Sequence, residues 1–130
     1  MNYNVSVYMQ LAQECLRDAR LLYDDASYRS AANRAYYAYF DAVRALLASK
    51  EISTKSHSAI RMLFAEHFVR NGIFDRQDGK AFQDLFALRQ NSDYEADETI
   101  AESDVANAID TAAEFLLQTE AYLRSQGYHP

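Results

Sequence analysis

The sequence has one cysteine, one proline, three glycines and no tryptophan in 130 residues. A single cysteine excludes an internal disulfide and fits a reducing compartment. So little proline and glycine leaves few tight turns, which favours long helices over many short strands. No apolar run is long enough to span a bilayer, and the opening "MNYNVSVYMQ" lacks the basic flank and apolar stretch of a secretory leader. A soluble, cytoplasmic protein that makes no use of a membrane is therefore expected, and the glycosylation pattern at Asn4 has no meaning without secretion.

Several chemistries lack their residues. There is no G-x-G-x-x-G and no paired C-x-x-C, and "DGK" at Asp78 to Lys80 misses the first glycine and the Ser/Thr of a phosphate-binding loop. His57 and His67 are ten residues apart, roughly 80° around an ideal helix, with no further ligands at suitable spacing. The expectation is no metal and no cofactor. Cys15 falls on an apolar helical stripe, the setting of a buried inert thiol rather than a nucleophile, and His129 falls in a tail expected to be solvated.

What is present is a chain that is 49% hydrophobic, enough for one domain to bury a core unaided. Its net charge of −6 argues against tight nonspecific binding to a polyanion. The charge is uneven, however. Arg29 to Arg89 holds ten Arg or Lys against six acids, and Asp93 to Glu120 holds nine acids and no base. A local anionic-ligand site stays compatible with that distribution.

Apolar spacing predicts an all-α, up-and-down bundle of about five helices in one domain. The first spans about Ser6 to Asp24, with Val5, Tyr8, Ala12, Cys15, Ala19 and Leu22 inward, and "DDAS" is the turn after it. The second spans about Tyr28 to Ser49, with Ala32, Tyr36, Tyr39, Val43 and Leu46 on one stripe. Beside that stripe, Ala31, Ala35, Ala38, Ala42 and Ala45 form a small-residue seam. The third runs from about His57 to Arg70 and ends at "NG". Asp75 caps the fourth, which carries Phe82, Leu85, Phe86 and Arg89 at helical steps. Ser103 opens the fifth, and Gly127 and Pro130 mark a frayed end.

Two stretches could carry function. In "SAANRAYYAYF", Arg34 and Tyr37 share a helix face with Asp41 and Arg44. One reading is a polar surface with an Arg34–Asp41 or Asp41–Arg44 contact and tyrosines that keep their hydroxyls wet. The other is a groove of two guanidiniums and a phenol, suited to phosphate and a stacked base. In "FQDLFALRQNSDYEAD" an apolar stripe continues into Arg89, and Asp93 follows one helical turn later, where it can pair with the arginine.

"SAANRAYYAYFDAVRALL", "TKSHSAIRMLFAEHFV" and "LRQNSDYEAD", in that order, resemble successive segments of the HEPN domain (higher eukaryotes and prokaryotes nucleotide-binding). The likeness covers Tyr8 to Leu123 and is strongest to small single-domain prokaryotic members often encoded beside a minimal nucleotidyltransferase. It implies a helical bundle that pairs with its copy. In ribonuclease members it implies an arginine followed, after four to six residues, by a histidine at the dimer interface. Arg89 matches that arginine. Tyr94, Glu95 or Ala96 stands where the histidine would be, an ending that recurs in the non-histidine branch of the family.

The expectation that follows is a HEPN-like nucleotide- or RNA-associated module. It would be a homodimer and the partner of a nucleotidyltransferase in a toxin–antitoxin or defence-type unit, binding through Arg34, Tyr37, Arg89, Asp93 and Tyr94. An always-protonated arginine cannot act as a base and an unperturbed tyrosine, with a pKa near 10, is a poor one at neutral pH, so little RNA cleavage is expected. Two alternatives stand beside it. One is a metal-independent ribonuclease with a rearranged site, in which His57 or Glu95 works with Arg89. The other is a purely structural helical subunit.

Overall fold

A computed structural model of the chain describes the backbone of residues 2–94 and 100–130, and the side chains of 4–92 and 100–130. Its helices are α1 (Asn2–Asp24), α2 (Tyr28–Ser49), α3 (His57–Phe64), α4 (Arg76–Tyr94) and α5 (Glu102–Ser125), with no strand among the described residues. The fold is an all-α bundle, as the apolar spacing predicts.

Helix α2 is the centre, packed by α1, α3, α4 and α5, with its most extensive pairing to α1. The alanine seam explains that pairing. Ala31, Ala35, Ala38, Ala42 and Ala45 are fully buried, and α1 meets them with Ala12 and Ala19, also fully buried. Small side chains on both helices let the backbones approach closely and bury area without side-chain entropy loss. The opposite flank of α2 is aromatic. Tyr39 lies face to face with Phe115 of α5, ring centroids 3.8 Å apart, and 5.1 Å from Phe82 of α4. The buried Tyr39 hydroxyl donates to the Asp78 carbonyl at 2.7 Å, so the ring is buried without stranding its polar atom.

Helix starts follow their side chains in two places. Ser56 Oγ accepts from the Ala59 amide at 3.2 Å and opens α3. Asp75 and Asp78 form a reciprocal box at α4, each carboxylate accepting from the other's amide at 3.1 and 3.2 Å. Four expectations need correction. Helix α1 begins at Asn2 rather than Ser6. Helix α5 begins at Glu102 with Ala101 at the cap, so Ser103 lies inside its first turn. The third helix is not uniform to Arg70, because its last turn, Ala65–Val69, is a π turn closed by the Arg70 amide on the Ala65 carbonyl; nothing in the residue pattern explains it.

The fourth correction concerns the C-terminus, which is docked rather than frayed. The Tyr128 amide donates to the Leu123 carbonyl at 2.9 Å and the Gly127 amide to Arg124 at 3.0 Å, the two bonds of a Schellman cap. The Tyr128 hydroxyl then donates to the Ser49 carbonyl at the end of α2 (3.1 Å), and Ser6 Oγ to the His129 carbonyl (3.2 Å).

With glycine scarce, two equivalent caps are built on other residues. Ala26 (φ 62°) and Glu51 (φ 61°) take the left-handed position after α1 and α2. The Ser27 and Ile52 amides complete the caps on Leu22 and Leu47 at 2.8 and 2.9 Å. A Cβ in that conformation costs roughly 1–2 kcal/mol. Replacing the exposed Glu51 by glycine should therefore stabilise the fold by about 0.5–1 kcal/mol, part of the relief being lost to glycine's freer unfolded state. Urea unfolding checks this, and a variant no more stable than the parent would show that the cap carries no strain.

Candidate functional site

The stripe on α4 packs against the aromatic flank of α2, and this accounts for its ending in an arginine. Phe82 and Phe86 lie 5.9 and 5.8 Å from the Tyr36 ring. One turn on, the Arg89 guanidinium carbon lies 5.7 Å from the same ring and 5.3 Å from Tyr37. A guanidinium is planar and weakly hydrated, so it can cover an aromatic face as a phenyl ring does while remaining charged. Arg34, one turn before Tyr37 on α2, lies 5.1 Å from that ring, so Tyr37 has two cations within cation–π range.

Helix α3 supplies the third side. His57, its first residue, stacks on Phe40 with centroids 4.4 Å apart, and its Nδ1 shares a hydrogen bond with the fully buried Tyr36 hydroxyl at 3.2 Å. Four residues on, the Arg61 guanidinium lies 3.8 Å over Phe86. Burial lowers the His57 pKa from its ordinary value, and the positive charges of Arg89, Arg61 and Arg44 lower it further. The imidazole is therefore neutral at pH 7 and able to accept a proton. Burial raises the Tyr36 phenol, against the opposing pull of Arg61 and Arg89.

Toward α1 the cluster is held by a buried carboxylate. Asp41 is 3.4 Å from Arg44 Nη1 and accepts from the Cys15 thiol at 3.8 Å. Burial pushes Asp41 up to about 6, and burial with the Asp41 charge pushes Cys15 up to about 11, which leaves the thiol unreactive. Arg44 covers Tyr8 of α1 at 4.1 Å. Arg34 donates to Asn33 Oδ1 at 2.7 and 3.1 Å and approaches Cys15 Sγ at 3.8 Å, so of the two alternatives for Asp41 its ion pair is with Arg44.

Of the residues singled out in the sequence, Arg34, Tyr37, Arg89 and His57 meet around Tyr36 in one protomer. The side chains of Asp93 and Tyr94, and Glu95 altogether, lie outside the described residues. Tyr36 and Arg61 were missed. Tyr36 reads as a core residue and is one, although its hydroxyl also ties α3 to α2. Arg61 carried a usable signal, since it stands four residues after His57 on the same face of α3.

The described residues form an all-α helical domain whose cations gather over aromatic rings in an acidic chain. The chain belongs to the HEPN domain family, whose model matches residues 5–121. A protein of Thermotoga maritima named "UPF0332 protein" is 36% identical over 112 residues, covering 86% of this chain and 85% of its own. Two proteins of Methanocaldococcus jannaschii, each named "Putative toxin", are also similar. One is 32% identical over 98 residues (75% of this chain, 73% of its own) and the other 30% over 118 (91% and 80%).

The electrostatic coupling of His57 to Arg89 is directly measurable. An NMR titration of the imidazole should give a pKa below that of a free histidine, and Arg89→Ala should move it upward. A His57 titration that ignores Arg89→Ala would separate the two side chains and break the cluster apart.

Proposed function

We propose that this protein is a toxin-type HEPN module that binds RNA or a nucleotide through its phosphates, using Arg34, Arg61 and Arg89 as donors and Tyr37 as a stacking surface. The observation that carries this reading is the convergence of three guanidiniums on the Tyr36–Tyr37–His57 cluster in a chain of net charge −6. Three guanidiniums in one place suit the charge-assisted hydrogen bonds of a phosphodiester. Asp93 and Tyr94, which follow Arg89 in the same family-like segment, belong to the same proposed binding set. The names of the Methanocaldococcus relatives support the toxin assignment. The family resemblance supports a homodimer that brings two Arg89 clusters together, working with a minimal nucleotidyltransferase as its partner in the cytoplasm.

In this reading the protein binds and does not cut. Cleavage through the RNA 2′-hydroxyl needs a group that accepts a proton, and a placed base contributes ~10²–10⁴-fold. Arg89 stays protonated and cannot serve. A second reading rests on His57, which is neutral at pH 7 and electrostatically coupled to Arg89. It could take the place of the histidine missing after Arg89, which would make the protein a ribonuclease with a rearranged site.

Binding and cleavage assays on RNA in chelator separate the two. The binding reading expects intact RNA, with affinity weakened by about 1–3 kcal/mol in Arg89→Ala while the helical circular dichroism is unchanged. RNA cleavage abolished by both His57→Gln and Arg89→Ala would replace it with the ribonuclease. The dimer has its own check. Light scattering at tens of micromolar should give twice the chain mass, and a monomer mass would remove the shared cleft.

A further inference from the structure

A groove of about 550 Å³ lies between α3 with its π turn and the first turns of α4. Arg61, Arg76 and Lys80 line it together with Ser58, Gln83 and Met62, and among the described residues no carboxylate does. The adjoining groove between α4 and α5 is the reverse, lined among the described residues by Asp84 and Asp104 without a cation. The chain is acidic overall, so this segregation sets a cationic channel beside an acidic one along α4.

Arg61 joins the channel to the site already described. It lines the groove, its guanidinium covers Phe86, and its charge and hydrogen bonding act on the Tyr36 hydroxyl. Its Nη1 is a buried donor without a hydrogen-bond partner among the described residues. Further along, Lys80 pairs with Asp84 at 2.8 Å, and both side chains are about two-thirds exposed (67% and 63%). A solvent-exposed pair of that kind holds weakly, so Lys80 can turn to a competing anion with little loss. Arg76 is exposed beside it, and Met62, 62% exposed, offers an apolar surface at the edge.

We propose that the α3–α4 groove is the path of a single-stranded RNA leaving the Arg89 cluster. Arg61 would act as the shared phosphate contact, with Arg76 and Lys80 as a second set. The inference rests on the RNA-binding reading above and extends it from one phosphate site to a strand. Charge complementarity selects the occupant: the phosphates of a strand match the three cations that line one groove, and Met62 beside them offers an exposed apolar surface to a base.

The test is fluorescence anisotropy of the full chain with a labelled uridine dinucleotide and with a labelled oligouridylate about 12 nucleotides long, within the span single-strand channels cover. The double variant Arg76→Ala/Lys80→Ala should bind the dinucleotide as the parent does. Its affinity for the long strand should fall about 10-fold, and the slope of log affinity against log salt should become shallower by about 1.4, for two single-strand phosphates lost. Arg89→Ala should weaken both ligands. Dependence of both on Arg89 with no effect of the double variant would overturn the groove and leave the phosphate site standing. No saturable binding of either would overturn both. A poly-aspartate peptide bound as tightly as the oligouridylate, with the same dependence on Arg76 and Lys80, would assign the groove to an acidic protein and reject the RNA path.

Discussion

The Tyr36 hydroxyl sits on a side chain with no exposed surface, at the centre of the helix that every other helix packs against. A buried hydroxyl left without a partner costs roughly 1–3 kcal/mol, so the fold must bring a polar group to it. The group is His57 Nδ1, at the first turn of α3, and the bond sets where α3 begins relative to α2. Once that register is set, Arg61 is carried over Phe86 and Arg89 over the faces of Tyr36 and Tyr37. The site is in this sense an outgrowth of the core. Its cations rest on rings that belong to the core, as Tyr36 does, or pack against it, as Tyr37 and Phe86 do.

That construction explains how an acidic protein keeps positive charges together. Mutual repulsion among the guanidiniums is offset by the negative π faces beneath them and, on the α1 side, by the Asp41 carboxylate against Arg44. Asp41 is raised to about 6 by burial, so it is mostly ionised at neutral pH and holds its arginine there. His57 moves the other way and stays neutral. Burial thus shifts the two groups in opposite directions, each toward its uncharged form.

Much of this could be read from the sequence, for identifiable reasons. The limits of α2, Tyr28–Ser49, follow from an unbroken apolar period between turn residues, and Asp75 announces α4 through local capping. Helical spacing puts Arg34, Tyr37 and Arg89 beside apolar stripes, and the family resemblance is what marks them as candidates for a site. The docked tail was not legible, because it depends on Tyr128 reaching Ser49, 79 residues away in the chain. Nor were the left-handed caps at Ala26 and Glu51, where tertiary packing overrides the usual preference for glycine. Tyr36 and Arg61 were missed because their roles arise between helices: a residue scored as core can also be the hinge of a polar network, and no single-helix pattern records it.

The central claim is that the arginines around Tyr36 receive RNA phosphate. The most direct measurement is a heteronuclear NMR titration of the arginine side-chain Nε–H signals and the His57 ring protons with a short single-stranded RNA. The account predicts saturable shifts concentrated on Arg34, Arg61, Arg89 and His57, with the arginines of the outer α1 and α5 surfaces, Arg17, Arg20 and Arg124, unmoved. Shifts centred on those outer arginines, or none at all at saturating RNA, would contradict it.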